Sequence, residues 1–445
     1  MIKNIKIIWY LSLFIFVGVS CKKNEVELVF DKTPNERVND QIELINKTMV
    51  SAEYGWKATV GTGLKGGYGF YFDFDDQQVV GMVADLTDKS AIEYVESNYR
   101  IKQDNGVTLI FDTYNYISML NDPVATVYDG TQREGLRSDL EYGFDYANGD
   151  TLAFIGKRYR NPLVLIKATK EERDKYRTGS YQEVINQTKA FFEDNTNPYI
   201  DVNSDGESYM MGITINTNTK IIELASLHPD GTTSASTGKY AFSLDGLNVI
   251  AGGIIYRGHN YVAMNWEGNK MYFISDKGDK YEVKNSLQPI LPLYKLIGSK
   301  YVGFRSPYLT YFSGTSSEGL KILERYHNGL AKGTGYAFNS GYMDLAFDVL
   351  NKRVTFSGFS SQNNGTSGWI TAIIYNYELD EDTGIYKLTY REGPNGGYVS
   401  AIMDQMDVFL RTSRIKFDYH ISDGTVYAKI IGVDKPEVEM TFRTR

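Results

Sequence analysis

Residues 66–76 read GGYGFYFDFDD, with Phe70, Phe72 and Phe74 at alternate positions and Tyr71 and Asp73 between them. A period of two sends successive side chains to opposite faces of an extended chain, so this stretch is a strand with an aromatic face. The same alternation returns in VTLIFDTYNYI (107–117), DTLAFIG (150–156), YMMGITIN (209–216) and KIIELASL (220–227). It continues in KMYFISDKG (270–278), RVTFSGF (353–359), ITAIIYNYEL (370–379) and IKFDYHISDGTVYAKIIGV (415–433). Long helices do not alternate with these runs, which argues against a parallel sheet. Asn105-Gly106, Asp245-Gly246 and Asp423-Gly424 lie between alternating runs, where hairpin turns need positive φ. The chain is therefore expected to build antiparallel meanders or barrels. Its 35 tyrosines and 42 glycines fit twisted sheets with many tight turns.

Helical signals are few and local. Thr33, Pro34 and Glu36 form a capping box with proline at the first helical position. Val38, Ile42, Ile45 and Met49 then follow at helical spacing, predicting an amphipathic helix with an acidic polar face. Thr169 with Glu172, and Ser180 with Glu183, predict two more helix starts.

A length of 445 residues exceeds one ordinary core. The expected fold is mainly β with a few helices (α+β), made of two or three antiparallel β modules, barrel-like or sandwich-like. Expected boundaries are a signal peptide at 1–20, a lipidated tether at 21–32 and an N-terminal β domain with its leading helix at 33–168. A helical connector at 169–195, a middle β domain at 196–288 and a C-terminal β domain at 289–445 follow. An internal echo links YGFDYANGDTLAFIGK (142–157), YAFSLDGLNVIAGG (240–253) and IKFDYHISDGTVYAKI (415–430). Each places an aromatic strand, a turn of Asp and Gly, then an apolar strand, as a repeated β module would. In the first two, Tyr159-Arg160 and Tyr256-Arg257 follow.

The amino terminus carries an address. A short basic segment precedes the apolar run Ile7–Val19, which has the length of a signal h-region and is short for a membrane span. Gly18-Val19-Ser20-Cys21 then resembles a bacterial lipobox, with Gly18 where Leu or Val is usual. Cys21 is the only cysteine, which favours lipid attachment there and leaves no disulfide to stabilise the fold. The net charge of -8 gives no footprint for nucleic acid.

Chemistry-bearing patterns are sparse. His228, His259, His327 and His420 lack metal-ligand spacing, and no nucleophile elbow or P-loop lysine occurs. The acids at Asp73, Asp75 and Asp76, and at Asp380, Glu381 and Asp382, read as hydrated turn carboxylates. The most specific pattern is DVNSDGES, where Asp201, Asn203, Asp205 and Gly206 match the first half of a calcium loop and Glu207 adds a ligand. Gly212 stands where the bidentate glutamate should be, and a plain Asp/Asn/Gly turn accounts for the same residues. Structural calcium is the one metal considered, and no other cofactor is indicated. Trp369, after the polar loop SSQNNGTSG, is a candidate ring for stacking on a sugar or clasping a peptide side chain.

Cys21 with its lipobox, VFDKTPNERVND, YGW, GGYGFYFDF, LIFDTYN and YGFDYANGD together resemble a family of Bacteroidota lipoproteins known as a domain of unknown function. The resemblance covers most of the mature chain, and its motifs are structural rather than catalytic. Members are often encoded beside SusC- and SusD-like outer-membrane uptake pairs. This implies a surface-facing lipoprotein of the outer membrane, an accessory to nutrient uptake, capturing a glycan, peptide or protein-derived ligand without catalysis. A non-catalytic scaffold of such a system is the alternative, and a hydrolase with dispersed acids the third reading.

Overall fold

The computed structural model describes residues 32–393 and 403–445, except 205, 308, 309 and 335–338. The lipidation candidate Cys21 and the calcium-loop residue Asp205 lie outside the described residues. Three antiparallel β modules follow one another, in agreement with the mainly β fold class.

Helix α1 (Pro34–Val50) is the first element among the described residues and has the expected capping box: Glu36 N donates to Thr33 Oγ1 and Thr33 N to Glu36 Oε2. Strands β1 (Trp56–Gly61), β2 (Gly67–Phe74), β3 (Val79–Ala84), β4 (Val95–Gln103), β5 (Val107–Phe111), β6 (Glu141–Asn148), β7 (Thr151–Gly156) and β8 (Pro162–Lys167) then form a meander. Strand β8 pairs back onto β1, closing a barrel. The aromatic face of β2 fills it: Phe70, Phe72 and Phe74 are buried with Tyr99, Phe111 and Phe154. Ile45 and Met49 of α1 join that core, and Trp56 Nε1 donates to the Met49 carbonyl at 2.9 Å. The helix thus packs directly onto the barrel core. Short helices α2 (Tyr116–Met119) and α3 (Ala125–Tyr128) occupy the β5–β6 connection.

Helices α4 (Lys170–Thr178) and α5 (Ser180–Asp194) come next. The Thr169 capping box forms, but Ser180 does not cap α5. Gly179, at φ +89°, ends α4 and starts α5, because only this left-handed corner lets two helices abut without a loop.

The middle module contains β9 (Pro198–Ser204), β10 (Glu207–Asn216), β11 (Ile221–Leu227), β12 (Thr233–Ser243), β13 (Gly246–Val249), β14 (Ile254–Tyr256), β15 (His259–Glu267), β16 (Lys270–Ser275), β17 (Lys280–Glu282) and β18 (Lys284–Asn285). Its sheet begins with β17 and ends with β18, which only Val283 separates in the chain. One segment therefore pairs with β16 on one side and β9 on the other, and the sheet curls into a barrel. Tyr181 and Ile185 of α5 enter its core, and Trp266 Nε1 donates to Thr188 Oγ1 at 3.0 Å.

After α6 (Leu293–Leu296), strand β19 (Gly303–Pro307) and helix α7 (Ser317–Thr334) lead into the third module. Strands β20 (Ser340–Asp348), β21 (Arg353–Ser361), β22 (Trp369–Asp380) and β23 (Ile385–Glu392) are followed by helix α8 (Asp404–Thr412). Strands β24 (Ile415–Ser422), β25 (Thr425–Gly432) and β26 (Glu439–Thr444) complete it, and β26 pairs with β19 to close a second eight-stranded barrel. Leu323 of α7 and Met406, Phe409 and Leu410 of α8 pack into its core.

The internal echo falls on β6–β7 of the first barrel and β24–β25 of the third, the sixth and seventh strands of each meander. The middle copy occupies β12–β13 of a differently built sheet, so the repetition holds for the outer barrels only. Asn105 and Asp423 have the positive φ their turns need, and so does Gly246 at +141°, although it already opens β13 and the β12–β13 turn itself is made by Leu244 and Asp245. A Cβ at Gly246 would meet the Met264 carbonyl oxygen at 2.3 Å, so close strand approach is what this glycine permits. Among the described residues, no helix is long and apolar enough to cross a membrane.

Candidate ligand recess at the mouth of the middle barrel

Antiparallel alternation gathers the β9–β10, β11–β12, β14–β15 and β16–β17 turns at one end of the middle barrel. The opposite end carries the β10–β11 and β12–β13 turns and faces the first barrel, where Gly66 N donates to the Thr219 carbonyl at 2.7 Å. At the end remote from the first barrel lies a recess of about 730 Å³. Met210, Leu227 and Ile290 give it apolar walls, and Asp201, Asn203, Glu207, Tyr209, His228 and Arg257 bring polar groups to it.

Arg257 organises the recess. It forms a two-residue hairpin turn with Gly258, at φ +45° and +81°, a type of turn that favours Asn-Gly or Asp-Gly. A left-handed arginine costs about 1–2 kcal/mol, so its side-chain interactions must offset that strain. They are substantial: its guanidinium lies 3.9 Å from the Tyr209 ring centroid and forms an ion pair with Glu207. The Arg257 side chain is 16% exposed and that of Glu207 61%. Arg257 Nη1 is buried without a hydrogen-bond partner among the described residues. The Tyr209 and Tyr261 hydroxyls nearby are also buried without one. Burial pushes the Tyr209 hydroxyl pKa up, against the pull of the Arg257 charge. A second polar chain runs beside them: Ser226 Oγ, Tyr256 Oη and Ser234 Oγ are linked by 2.7 Å hydrogen bonds, and His228 Nε2 meets Ser234 Oγ at 3.0 Å.

Asp201, Asn203 and Glu207 all border this recess, but strand geometry divides them. Asp201 and Asn203 pair with Met210 and Ser208 across the β9–β10 ladder and share one face, while Glu207, next to Ser208, takes the other. Asp201 binds Lys284 at 2.8 Å, Asn203 Oδ1 accepts from Ser208 Oγ at 2.5 Å, and Glu207 holds Arg257. The donors face three different partners rather than one ion. Among the described residues, no three His, Cys, Asp or Glu side chains are grouped to hold a metal.

Trp369 is 60% exposed at the start of β22. The far end of that strand leads to Asp382, whose carbonyl oxygen would lie 3.5 Å from a Cβ built on Gly231, in the β11–β12 turn. The length of β22 separates the tryptophan from that junction by roughly 35 Å, so it does not belong to the recess. The other acids behave as turn or pairing groups. Asp75 Oδ1 accepts from the backbone of Gln77 and Val79, Asp380 from Asp382 and Thr383, and Asp73 pairs with Arg177 at 2.6 Å.

The sequence pattern marks Arg257 only as part of the Tyr-Arg pair that follows the internal echo, not as a binding residue. Its signal is YRGH, an arginine-glycine pair where a hairpin normally carries asparagine or aspartate. The partner Tyr209 lies far upstream, so the stacking is visible only in the fold.

Comparison with solved structures finds Caulobacter crescentus pol III beta at 10% identity, covering 92% of this chain and 98% of that one, with a TM-score of 0.13. A Mycobacterium tuberculosis puromycin-hydrolyzing peptidase follows at 11% identity, covering 87% of this chain and 60% of that one, with a TM-score of 0.14. No curated protein matches the sequence. Residues 26–268, which hold the first barrel and every recess residue named above except Ile290, match the family described as "Domain of unknown function (DUF4302)". That match spans more than half of the chain, and the protein belongs to this family.

Proposed function

We propose that this protein is a lipid-anchored, surface-facing binding protein of the outer membrane, an accessory to a nutrient uptake system of the SusC/SusD type. It captures a glycan, peptide or protein-derived ligand and presents it to the transporter. The observation that carries the binding role is the recess at the end of the middle barrel remote from the first, whose rim brings Arg257, stacked on Tyr209, together with Met210, Leu227 and Ile290. Concave, largely apolar sites with a few fixed polar groups are what small ligands occupy. A tether would raise the local ligand concentration at the transporter without any chemistry.

A ligand screen tests this role. The soluble chain beginning at Lys22 is expected to bind a glycan or peptide, with affinity unchanged by calcium. The anchor is tested by Cys21→Ala, which is expected to abolish acylation and release the protein from the membrane. Membrane attachment that survives the substitution refutes the anchor.

A scaffold role is favoured by a different surface. On the outer face of the third barrel Tyr342 stacks on Phe359 at 5.2 Å, and Ile370, 70% exposed, is the cross-strand partner of Phe359. Co-purification with a transporter in the absence of any bound ligand supports that reading over capture.

A further inference from the structure

We infer that the recess is a carboxylate-binding site in which Glu207 occupies the place of the ligand's carboxylate. The inference rests on the binding role proposed above and names the ligand chemistry. Arg257 and Glu207 are unequal partners: the arginine is enclosed, and the glutamate is largely in water. A guanidinium held in a site of low polarity needs an anion beside it, because desolvated charge without a partner is costly. Any carboxylate meets that need. Glu207 is replaceable in that role, since its own carboxylate is largely in water and meets only one edge of the guanidinium.

Three features make Arg257 a fixed receptor rather than a surface cation. Its backbone is set in a left-handed turn, its guanidinium lies against the Tyr209 ring, and only one edge is taken up by Glu207. The buried Nη1 has no acceptor among the described residues, so the arginine has hydrogen-bonding capacity that Glu207 does not use. A planar guanidinium pairs with a carboxylate through two parallel N–H donors, and a modest shift that turns Nη1 toward the recess supplies the second. Met210, Leu227 and Ile290 would then contact the apolar parts of the ligand. The chemical class is a small ligand with a carboxylate at one end. An acidic sugar and a peptide with a free carboxyl terminus both supply one.

Calorimetric titration of the full-length protein in detergent tests the inference with matched probes. Trigalacturonic acid is compared with neutral maltotriose, and a leucine-rich tripeptide acid with its amide. At least one acid probe is expected to bind about tenfold or more tighter than its neutral match, the value of a charge-assisted hydrogen bond. The acid that binds identifies the source of the carboxylate. Arg257→Gln is expected to remove this preference. Glu207→Gln removes the competing anion and is expected to tighten acid binding by about two- to fivefold. The opposite signs are decisive, because a purely structural ion pair would weaken binding from either side. Glu207→Gln also serves if Arg257→Gln fails to fold. Acid and neutral probes binding equally well overturns the carboxylate assignment while leaving a ligand recess intact. No saturable binding of any probe overturns the assignment and removes the support for the recess as a binding site.

Discussion

Lys220 carries its ammonium to the joint between the first two barrels, where its side chain is 6% exposed and that of its partner Asp85 fully buried. The ion pair measures 2.8 Å, Phe242 N donates to Asp85 Oδ2 at 3.0 Å, and the ammonium lies 3.8 Å from the Tyr68 ring centroid. Burial lowers the Lys220 pKa while Asp85 opposes that shift. Removing one member of such a pair strands the other charge, whereas removing both is often tolerated. Lys220→Met is therefore expected to cost about 3–5 kcal/mol, and Lys220→Met with Asp85→Asn distinctly less than the sum of the two single changes. Denaturant unfolding of the four proteins measures this. Additive losses would show that the two side chains do not act as a pair.

Among the elements, the β25–β26 turn is fastened to the start of β24 by one carboxylate. Asp434 receives Arg414 N at 2.8 Å and Arg414 Nη2 at 2.6 Å. The Arg414 guanidinium and backbone hold its carboxyl down to about 2, from 3.8. A depressed folded pKa adds stability above the unfolded value, and that stability is lost as pH falls through the folded one. The melting temperature of the wild-type third barrel is therefore expected to exceed that of Asp434→Asn above about pH 4 and to approach it by about pH 2. A gap that stays constant across this range would contradict the assignment. Local pattern made such elements legible, and contact between elements was much less so. Phe70, Phe72 and Phe74 announced β2, but its other face is also buried, with Tyr71 stacked on Tyr176 of α4 at 5.2 Å. DVNSDGES fits both a plain Asp/Asn/Gly turn and the first half of a calcium loop, and its described residues form a hairpin whose alternation sends Asp201 and Asn203 to one face and Glu207 to the other. Trp369 stands at the start of β22, and nothing local tells how far that strand carries it from the recess. Arg257 depends on a ring from another hairpin and left only a faint trace in YRGH.

At the scale of the molecule, the two joints between barrels differ in kind. Between the first and second, Gly69 lets strand β2 approach so closely that a Cβ there would meet the Phe242 carbonyl oxygen and the Tyr181 hydroxyl at 2.2 Å. Tyr71 and Val83, from β2 and β3, belong to the hydrophobic core of the middle barrel, and the Lys220–Asp85 pair is sealed between them. Between the second and third no core is shared: Lys300 Nζ reaches Asn197 Oδ1 at 3.1 Å and the Thr196 carbonyl at 3.3 Å, and Ile213, Ile215, Leu291 and Leu296 line an open cleft. The third barrel keeps a core of its own, beginning at Leu293. Shared apolar burial couples unfolding, whereas a joint without it leaves neighbours close to independent. Scanning calorimetry of the full chain is therefore expected to resolve two transitions, the larger from the first two barrels and the smaller from the third. Lys220→Met should lower the temperature of the larger transition and leave the smaller in place. A single transition that moves as a whole would show that all three barrels unfold together. The coupling also bears on the recess, since a rigid pair of barrels holds it at the end of the middle barrel remote from the first barrel and its α1. In the proposed lipoprotein, with the tether entering at α1, that arrangement turns the site away from the membrane and toward arriving ligand. Loosening the joint with Lys220→Met should then weaken uptake in cells more than it weakens binding in solution.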